Sequence, residues 1–467
     1  MAILSINPAT EEVLHRYEEM TDAEVDQALD EAHAAFLQWR TTSFAERAAK
    51  LRNVAAGLRA HHDELARLVT LEMGKPITQS LAEVEKSAVG CDYYADNAEH
   101  LLADEHIKTN ASDSYVAYSP LGVVLAVMPW NFPYWQVFRP IAPAVMAGNA
   151  LVLKHASNVP QCALAIERVM CGAGFPKGLF RTLMIPGSRV ERVIEHRHVR
   201  LVTLTGSDET GSQVAATAGR ALKKTVLELG GSDPFIVLAD ADLDAAAKTG
   251  AIARNQNSGQ SCIAAKRFIV VESVADAFEQ RFVDAVRALK VGDPLDPATQ
   301  VGPLARNDLR DTLDRQVRQS VREGATVALG GDRIAGTGYF YAPTILTGVT
   351  SDMVAFREET FGPVAAVVRV KDAEEAVRLA NDSQYGLGAS VWTRDIEQGQ
   401  RIARTIESGQ VFINGMVASD ARLPFGGVKR SGYGRELSAF GIRELVNIQT
   451  IWVAPTTGAT PPLPKTE

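Results

Sequence analysis

Residues 199–214, "VRLVTLTGSDETGSQV", run from a short apolar stretch through Gly206 and Ser207 into a polar, helix-forming stretch. The same strand-then-turn pattern occurs twice upstream. "NALVLKHAS" (149–157) is a short apolar strand, followed by a helix from about Pro160, and "FRTLMIPGS" (180–188) also leads into a helix. Strands alternating with helices argue for βαβ units and a parallel sheet. Neither GxGxxG nor the Walker A pattern occurs in the chain. Gly206 and Gly211 instead bound a turn that can seat a diphosphate at a helix N-terminus, although such turns are common in α/β proteins.

On the N-terminal side the alternation begins with "YVAYSPLGVVLAVMPWN" from Tyr115, and before it the chain is helical. Thr21 and Glu24 form a capping box. Val25, Ala28, Leu29, Ala32, Ala35, Phe36 and Trp39 then recur at helical spacing and predict one buried face. A helix is expected from Phe44 to about Met73, broken by "MGKP", and another to about Leu102. On the C-terminal side "KKTVLELGGSDPFIVLADADLDAAA" (223–247) restarts the alternation, its double glycine marking a domain junction, and a second α/β unit runs to about Val411. The tail "LVNIQTIWVAP" (445–455) alternates like a strand with no nearby partner in sequence, and is expected to pair with another subunit.

Composition bounds the function. The 467 residues are 46% hydrophobic and 22% charged, enough for two to four cored units. Net charge is −8 and well dispersed, which disfavours nucleic acid or an anionic membrane as partner. No apolar run is long enough to span a bilayer, and the N-terminus does not read as a secretory signal. Four cysteines without a CxxC pair suggest neither a zinc site nor a dithiol, and fit a reducing cytoplasm.

Three features carry chemistry. Cys262, in "NQNSGQSCIAAKR", follows a polar, turn-forming lead-in where a strand begins. Most cysteines are inert packing, but a thiol here can face a cleft beside backbone N–H groups. Glu228, in "LELGG", sits at an apolar strand end. It is either a surface-facing strand residue or a carboxylate made more basic by burial. Asn131, in "MPWNFPYWQVFRP", is either a structural turn residue or an oxyanion donor. Arg139 is an ordinary ion-pair partner or a clamp for a substrate carboxylate. Lys154, ending "ALVLK", stands at a strand's carboxyl edge, where a ribose or phosphate can meet it.

Together these residues resemble the aldehyde dehydrogenase superfamily. The resemblance runs from "INPAT" at Ile6 through "LEMGKP", "PWNFP", "TGSDETG", "ELGGSDP", "NSGQSC" and "EETFGPV" to "LPFGGVKRSGYGRE", ending at Glu436. It implies an α/β fold with a Rossmann-like cofactor domain (1–104 and 121–229), a catalytic α/β domain (230–440), and a β oligomerisation arm and tail (105–120 and 441–467). It implies Cys262 as nucleophile, Glu228 as general base and Asn131 as oxyanion donor. Pro129, Trp130, Lys154, Ser157, Gly206, Ser207, Leu229, Glu359 and Phe361 fall where the family contacts a nicotinamide dinucleotide. No metal is expected.

Ser157 stands where NAD-preferring relatives often carry a Glu, so NADP is expected to be preferred over NAD. Arg139, Trp135, Ser261 and Ser419 match the substrate tunnel of succinate-semialdehyde dehydrogenases. An aldehyde with a distal carboxylate, oxidised to the acid through a Cys262 thioester, is therefore expected, in a cytoplasmic homodimer or homotetramer. The rivals are a broad-range aldehyde dehydrogenase, a CoA-acylating relative, a cysteine hydrolase, and a non-catalytic binding protein on the same fold.

Overall fold

The computed structural model describes residues 2–455. The rest of the expected tail, 456–467, lies outside the described residues.

The helix Asp22–Trp39 carries the capping box at Thr21 and Glu24, and its buried residues are the seven predicted from spacing. The stretch expected as one helix from Phe44 is two, Phe44–Ala60 and His62–Met73, broken at His61. An unbroken helix of that length would span about 45 Å at 1.5 Å per residue. The break lets both pieces pack on the long helix Ile77–Leu101. The second piece ends at Gly74, whose φ of 79° suits glycine.

The first sheet has six strands, in the order Gly432–Tyr433, Lys224–Glu228, Val199–Thr205, Val123–Met128, Ala150–His155, Phe180–Thr182. All but the first are parallel. Numbered along the chain, the parallel strands lie in the order 3-2-1-4-5. The switch point therefore falls between Val123–Met128 and Val199–Thr205, the crevice where doubly wound sheets bind ligands. The "PWN" turn and Gly206-Ser207 both emerge there.

Just beyond the double glycine, Asp233–Val237 enters a seven-stranded sheet with Ala265–Val271 and Gly388–Trp392 as its neighbours. This strand is buried throughout, as expected for a sheet covered on both faces. The chain later returns to the first sheet, where Gly432 pairs with Glu228. Ile442, Leu445 and Val446 then join the first sheet's core.

The tail strand corrects the sequence reading. Val446–Val453 pairs antiparallel along its whole length with Asp113–Pro120 of the same chain. Its partner lies more than 300 residues upstream, as Ser119 and Gln449 show with a separation of 330, so no local pattern reveals it. Among the described residues no helix is long and apolar enough to cross a membrane. No group of three or more His, Cys, Asp or Glu there is placed to hold a metal ion.

Candidate active site

The "PWNFP" turn leaves the first sheet at its switch point and is fixed from two sides. His155 Nε2 lies 2.9 Å from the Pro133 carbonyl oxygen, and its Nδ1 lies 2.9 Å from the Ala156 nitrogen and 3.2 Å from the Met128 carbonyl oxygen. Burial pushes this imidazole down to about 4, which keeps it neutral. On the other side the Glu83 carboxylate accepts the N–H groups of Tyr134 and Trp135 at 2.8 and 3.1 Å, capping the helix Trp135–Met146. Buried Lys75 balances Glu83 as an ion pair.

Asn131 is buried and tied to the cysteine loop. Its Nδ2 donates to the Gln260 carbonyl at 3.2 Å, and Asn257 Nδ2 donates to the Asn131 carbonyl at 2.7 Å. An amide nitrogen carries two hydrogens, so one remains for a substrate oxygen.

The cysteine loop has an unusual backbone. Asn257, Ser258 and Gly259 all have positive φ, at 55°, 55° and 74°. Such conformations persist only where the surroundings over-determine them. Two buried cations do so here. Arg254 donates to the carbonyls of Gly259 and Gly362 at 2.6 Å each and of Ala265 at 3.2 Å. Lys266 Nζ donates to the Ser261 and Cys262 carbonyls at 2.9 and 2.8 Å, and lies 3.4 Å from Glu359.

Cys262 opens onto a cavity of ≈ 260 Å³ whose lining includes Trp135, Arg139, Ser261 and Ser419. Phe132, Trp135 and Phe425 belong to the apolar cluster around the thiol. Burial pushes the thiol up to about 12, more than Arg139 and Lys266 pull it down. Glu228 is 2% exposed and neither carboxylate oxygen has a hydrogen-bond partner among the described residues. Burial and the nearby charge of Glu436 hold its carboxyl well above the usual range, against the pull of Arg139 and Arg435. Asn131 and Glu228 are thus both buried, not surface residues.

The double glycine has a second role. A Cβ on Gly230 would lie 2.5 Å from Glu359 Oε2, and one on Gly231 would lie 2.6 Å from the Cys262 carbonyl oxygen. The glycines let the link between sheets pass directly under the nucleophile.

With this geometry in place, the model of the aldehyde dehydrogenase family matches residues 1–451. The chain belongs to that family.

An NADP(+)-dependent succinate-semialdehyde dehydrogenase of Mycolicibacterium paratuberculosis is 54% identical over 457 residues, 97% of each chain. A probable enzyme of the same name from Synechocystis is 53% identical, with 97% of this chain and 100% of that one covered. Among solved structures, succinic semialdehyde dehydrogenase from Streptococcus pyogenes in complex with NADP+ superimposes with a TM-score of 0.95 at 40% identity, covering 97% and 100%. An NAD-dependent aldehyde dehydrogenase from Sinorhizobium meliloti gives 0.95 at 35% identity, covering 98% and 93%.

In this aldehyde dehydrogenase Pro129, Trp130, Lys154, Ser157, Gly206 and Ser207 lie at or just beyond the carboxyl ends of the first sheet's strands. Lys154, one residue before the end of the strand Ala150–His155, has its side chain buried and no ion pair among the described residues, and desolvation alone lowers its pKa. Such a lone buried cation fits an anionic partner. Ser157 is exposed in the following turn. A Cβ on Gly206 would touch only Leu204, at 3.6 Å, so the space beyond the strand is open. Ser207 caps the helix Asp208–Arg220 by accepting from the Thr210 N–H at 3.3 Å. That first turn also carries Asp208 and Glu209, a poor setting for a diphosphate; Arg430 neutralises Asp208 at 2.7 Å. Gly211 serves packing: a Cβ there would lie 2.5 Å from Leu229. Phe361 stands edge-on to Trp130, ring centres 5.7 Å apart.

Of the two readings the sequence left open for Arg139, the structure shows the ion pair. Arg139 lines the cavity, and its Nε lies 2.6 Å from Glu436 Oε2 in a buried ion pair. Sequence reasoning missed Glu436, Arg254, Lys266, His155 and Glu83. Their targets are mostly backbone groups, often more than 20 residues away, which no motif signals.

Proposed function

We propose that this chain oxidises succinate semialdehyde to succinate with NADP+ as preferred acceptor and NAD+ as the weaker one. One observation carries the reading: a single cavity is lined by a partly exposed thiol, Cys262, and by a buried cation, Arg139. A short aldehyde ending in a carboxylate matches both. Whole-length identity above 50% to enzymes of that name supports it.

The mechanism follows from the side chains. Glu228, unsolvated and basic, takes the Cys262 proton, and the thiolate adds to the aldehyde carbon. The new oxyanion receives the free Asn131 N–H; such donors are worth ~10²–10³ in turnover. A bound nicotinamide dinucleotide would supply the hydride acceptor, and Cys262 would keep the acyl group as a thioester. Having passed the Cys262 proton to solvent, Glu228 deprotonates a water that attacks the thioester carbonyl, and the departing thiolate takes this proton back, releasing carboxylic acid and free thiol. Lys154, Ser157, Gly206, Ser207, Leu229, Glu359, Phe361, Pro129 and Trp130 hold the dinucleotide. Ser157 in place of a carboxylate leaves the 2′-phosphate unopposed near Lys154. The first sheet seats the cofactor and the second supplies the thiol.

The edge strand Val446–Val453, with Ile448 and Trp452 exposed, supports a homodimer or homotetramer built through this arm. Four free cysteines support a cytoplasmic setting.

The test is nucleotide reduction with succinate semialdehyde and butyraldehyde, using each cofactor. Wild type should favour the acid and NADP+. Cys262→Ala should abolish turnover. Glu228→Gln should slow both the first-turnover release of reduced nucleotide and steady-state turnover, because the same carboxylate serves the thiol and the water. Ser157→Glu should shift preference toward NAD+. No nucleotide reduction by folded wild type with either aldehyde, or equal use of both, would defeat the proposal.

A further inference from the structure

The cavity holds a second cation with no task in that mechanism. Lys86, on the helix Ile77–Leu101, lines the same cavity as Cys262, Arg139 and Ser419. Its Nζ donates to Ser419 Oγ at 2.9 Å and lies 4.7 Å from the centre of the Trp135 ring. Trp135 Nε1 donates to the same oxygen, also at 2.9 Å.

The charge balance around it is uneven. Arg139 is matched by Glu436 at 2.6 Å. Glu83 is matched by Lys75 and by two backbone N–H groups. Asp420 is matched by Arg422 at 2.6 Å. Lys86 makes no ion pair among the described residues, although Glu83 and Asp420 are close enough to support its charge and Arg139 and Lys75 oppose it. The net positive charge of the cavity therefore resides on Lys86.

Ser419 completes a receptor. A hydroxyl oxygen has two lone pairs and one hydrogen. The two donors occupy the lone pairs, and the hydrogen has no acceptor among the described residues. An ammonium and a hydroxyl hydrogen held side by side suit the two oxygens of one carboxylate.

We propose that Lys86 is a specificity-determining residue of this enzyme, receiving the substrate's distal carboxylate with the Ser419 hydroxyl while Trp135 fixes that hydroxyl's orientation. The inference rests on the distal-carboxylate reading above. It makes Arg139, balanced by Glu436, the lesser contributor of net charge. Burial holds the Lys86 ammonium down to about 8, so recognition should fade on the alkaline side.

The readout is the ratio of kcat/KM for succinate semialdehyde to that for butyraldehyde, from pH 6.5 to 9.5, beside calorimetric titration with succinate. Lys86→Met should lower the ratio at pH 7 by about 10–100-fold, the range for losing a hydrogen bond to a charged group, and weaken succinate in proportion. Wild type should show the ratio falling above about pH 8. Lys86→Arg, charged throughout, should keep most of the ratio and lose that fall. If wild type favours the acid and Lys86→Met favours it equally, the Lys86 assignment is wrong while the substrate reading stands. Equal losses on both aldehydes would make Lys86 structural. A wild-type ratio near one would remove the substrate reading and this inference with it.

Discussion

Replacing Gly231 by alanine tests how tightly the nucleophile is held. The added Cβ would lie 2.6 Å from the Cys262 carbonyl oxygen, and 3.1 Å from both Asp233 Oδ1 and Leu387 Cβ. Carbon–oxygen contacts settle at roughly 3.3 Å or more, so the carbonyl must retreat by about 0.7 Å. It is already bonded to Lys266 at 2.8 Å, in the ladder that fixes Ser261 and Ala264. A misplacement of about 1 Å costs on the order of 10²-fold in rate. Gly231→Ala should therefore lose roughly 10–100-fold in kcat/KM, with about 1–3 kcal/mol of stability from overpacking. Steady-state kinetics should be paired with thermal melting and with the rate of iodoacetamide capture of Cys262. Gly219→Ala is the control. Nothing lies within 4 Å of its Cβ, and helical glycine-to-alanine exchange gains about 0.5–1 kcal/mol. If Gly231→Ala stays within threefold of wild type in both activity and alkylation rate, the thiol does not depend on this contact and the reasoning fails.

Two further outcomes follow from buried acids. Without nucleotide, the Cys262 thiol held near 12 should be alkylated about tenfold faster per pH unit from pH 7 to 10, because the thiolate is the nucleophile. A plateau near pH 8.5 would show an ordinary thiol. Asp233 is pushed up to about 7 by burial, against about 3.9 in the unfolded chain. Its stabilising contribution is full below pH 4 and is lost as pH rises through 7, since the unfolded chain ionises first. Asp233→Asn should nearly match wild type in melting temperature near pH 4.5 and exceed it at pH 8, where the stability difference is at most on the order of 4 kcal/mol. An offset that does not change with pH would place the ionisation elsewhere.

The sequence was readable where a residue's role shows in its neighbours. The buried face of Asp22–Trp39 follows from spacing, and its start from Thr21 and Glu24. The alternation around Gly206 yields the parallel sheet, and with it the place where Lys154 and the "PWN" turn meet. Cys262, Glu228 and Asn131 stand out because a thiol, a carboxylate and an amide each interrupt apolar or glycine-rich text. The break at His61 was not readable, because apolar spacing continues across it. Nor was the pairing of the tail with Asp113–Pro120, which spans most of the chain. Arg254, Lys266 and Lys86 stayed hidden for another reason. A cation in a sequence reads as surface, and only the fold surrounds Arg254 and Lys266 with carbonyls and leaves Lys86 in a cavity without a counter-ion.

The carbonyl ladder under Cys262 has a consequence for how this protein can change. Arg254 and Lys266 grip main-chain oxygens, so they are indifferent to which side chains the loop displays. Lys86 and Ser419 come from a different helix and a different loop, and touch the ladder nowhere in the hydrogen-bond network. If Lys86 and Ser419 set the choice of aldehyde as proposed, that choice is carried by segments of chain separate from the ladder. A lineage, or an engineer, can rewrite which aldehyde enters while the thiol keeps the same footing. Changes at Gly230, Gly231 or Gly259 offer no such freedom.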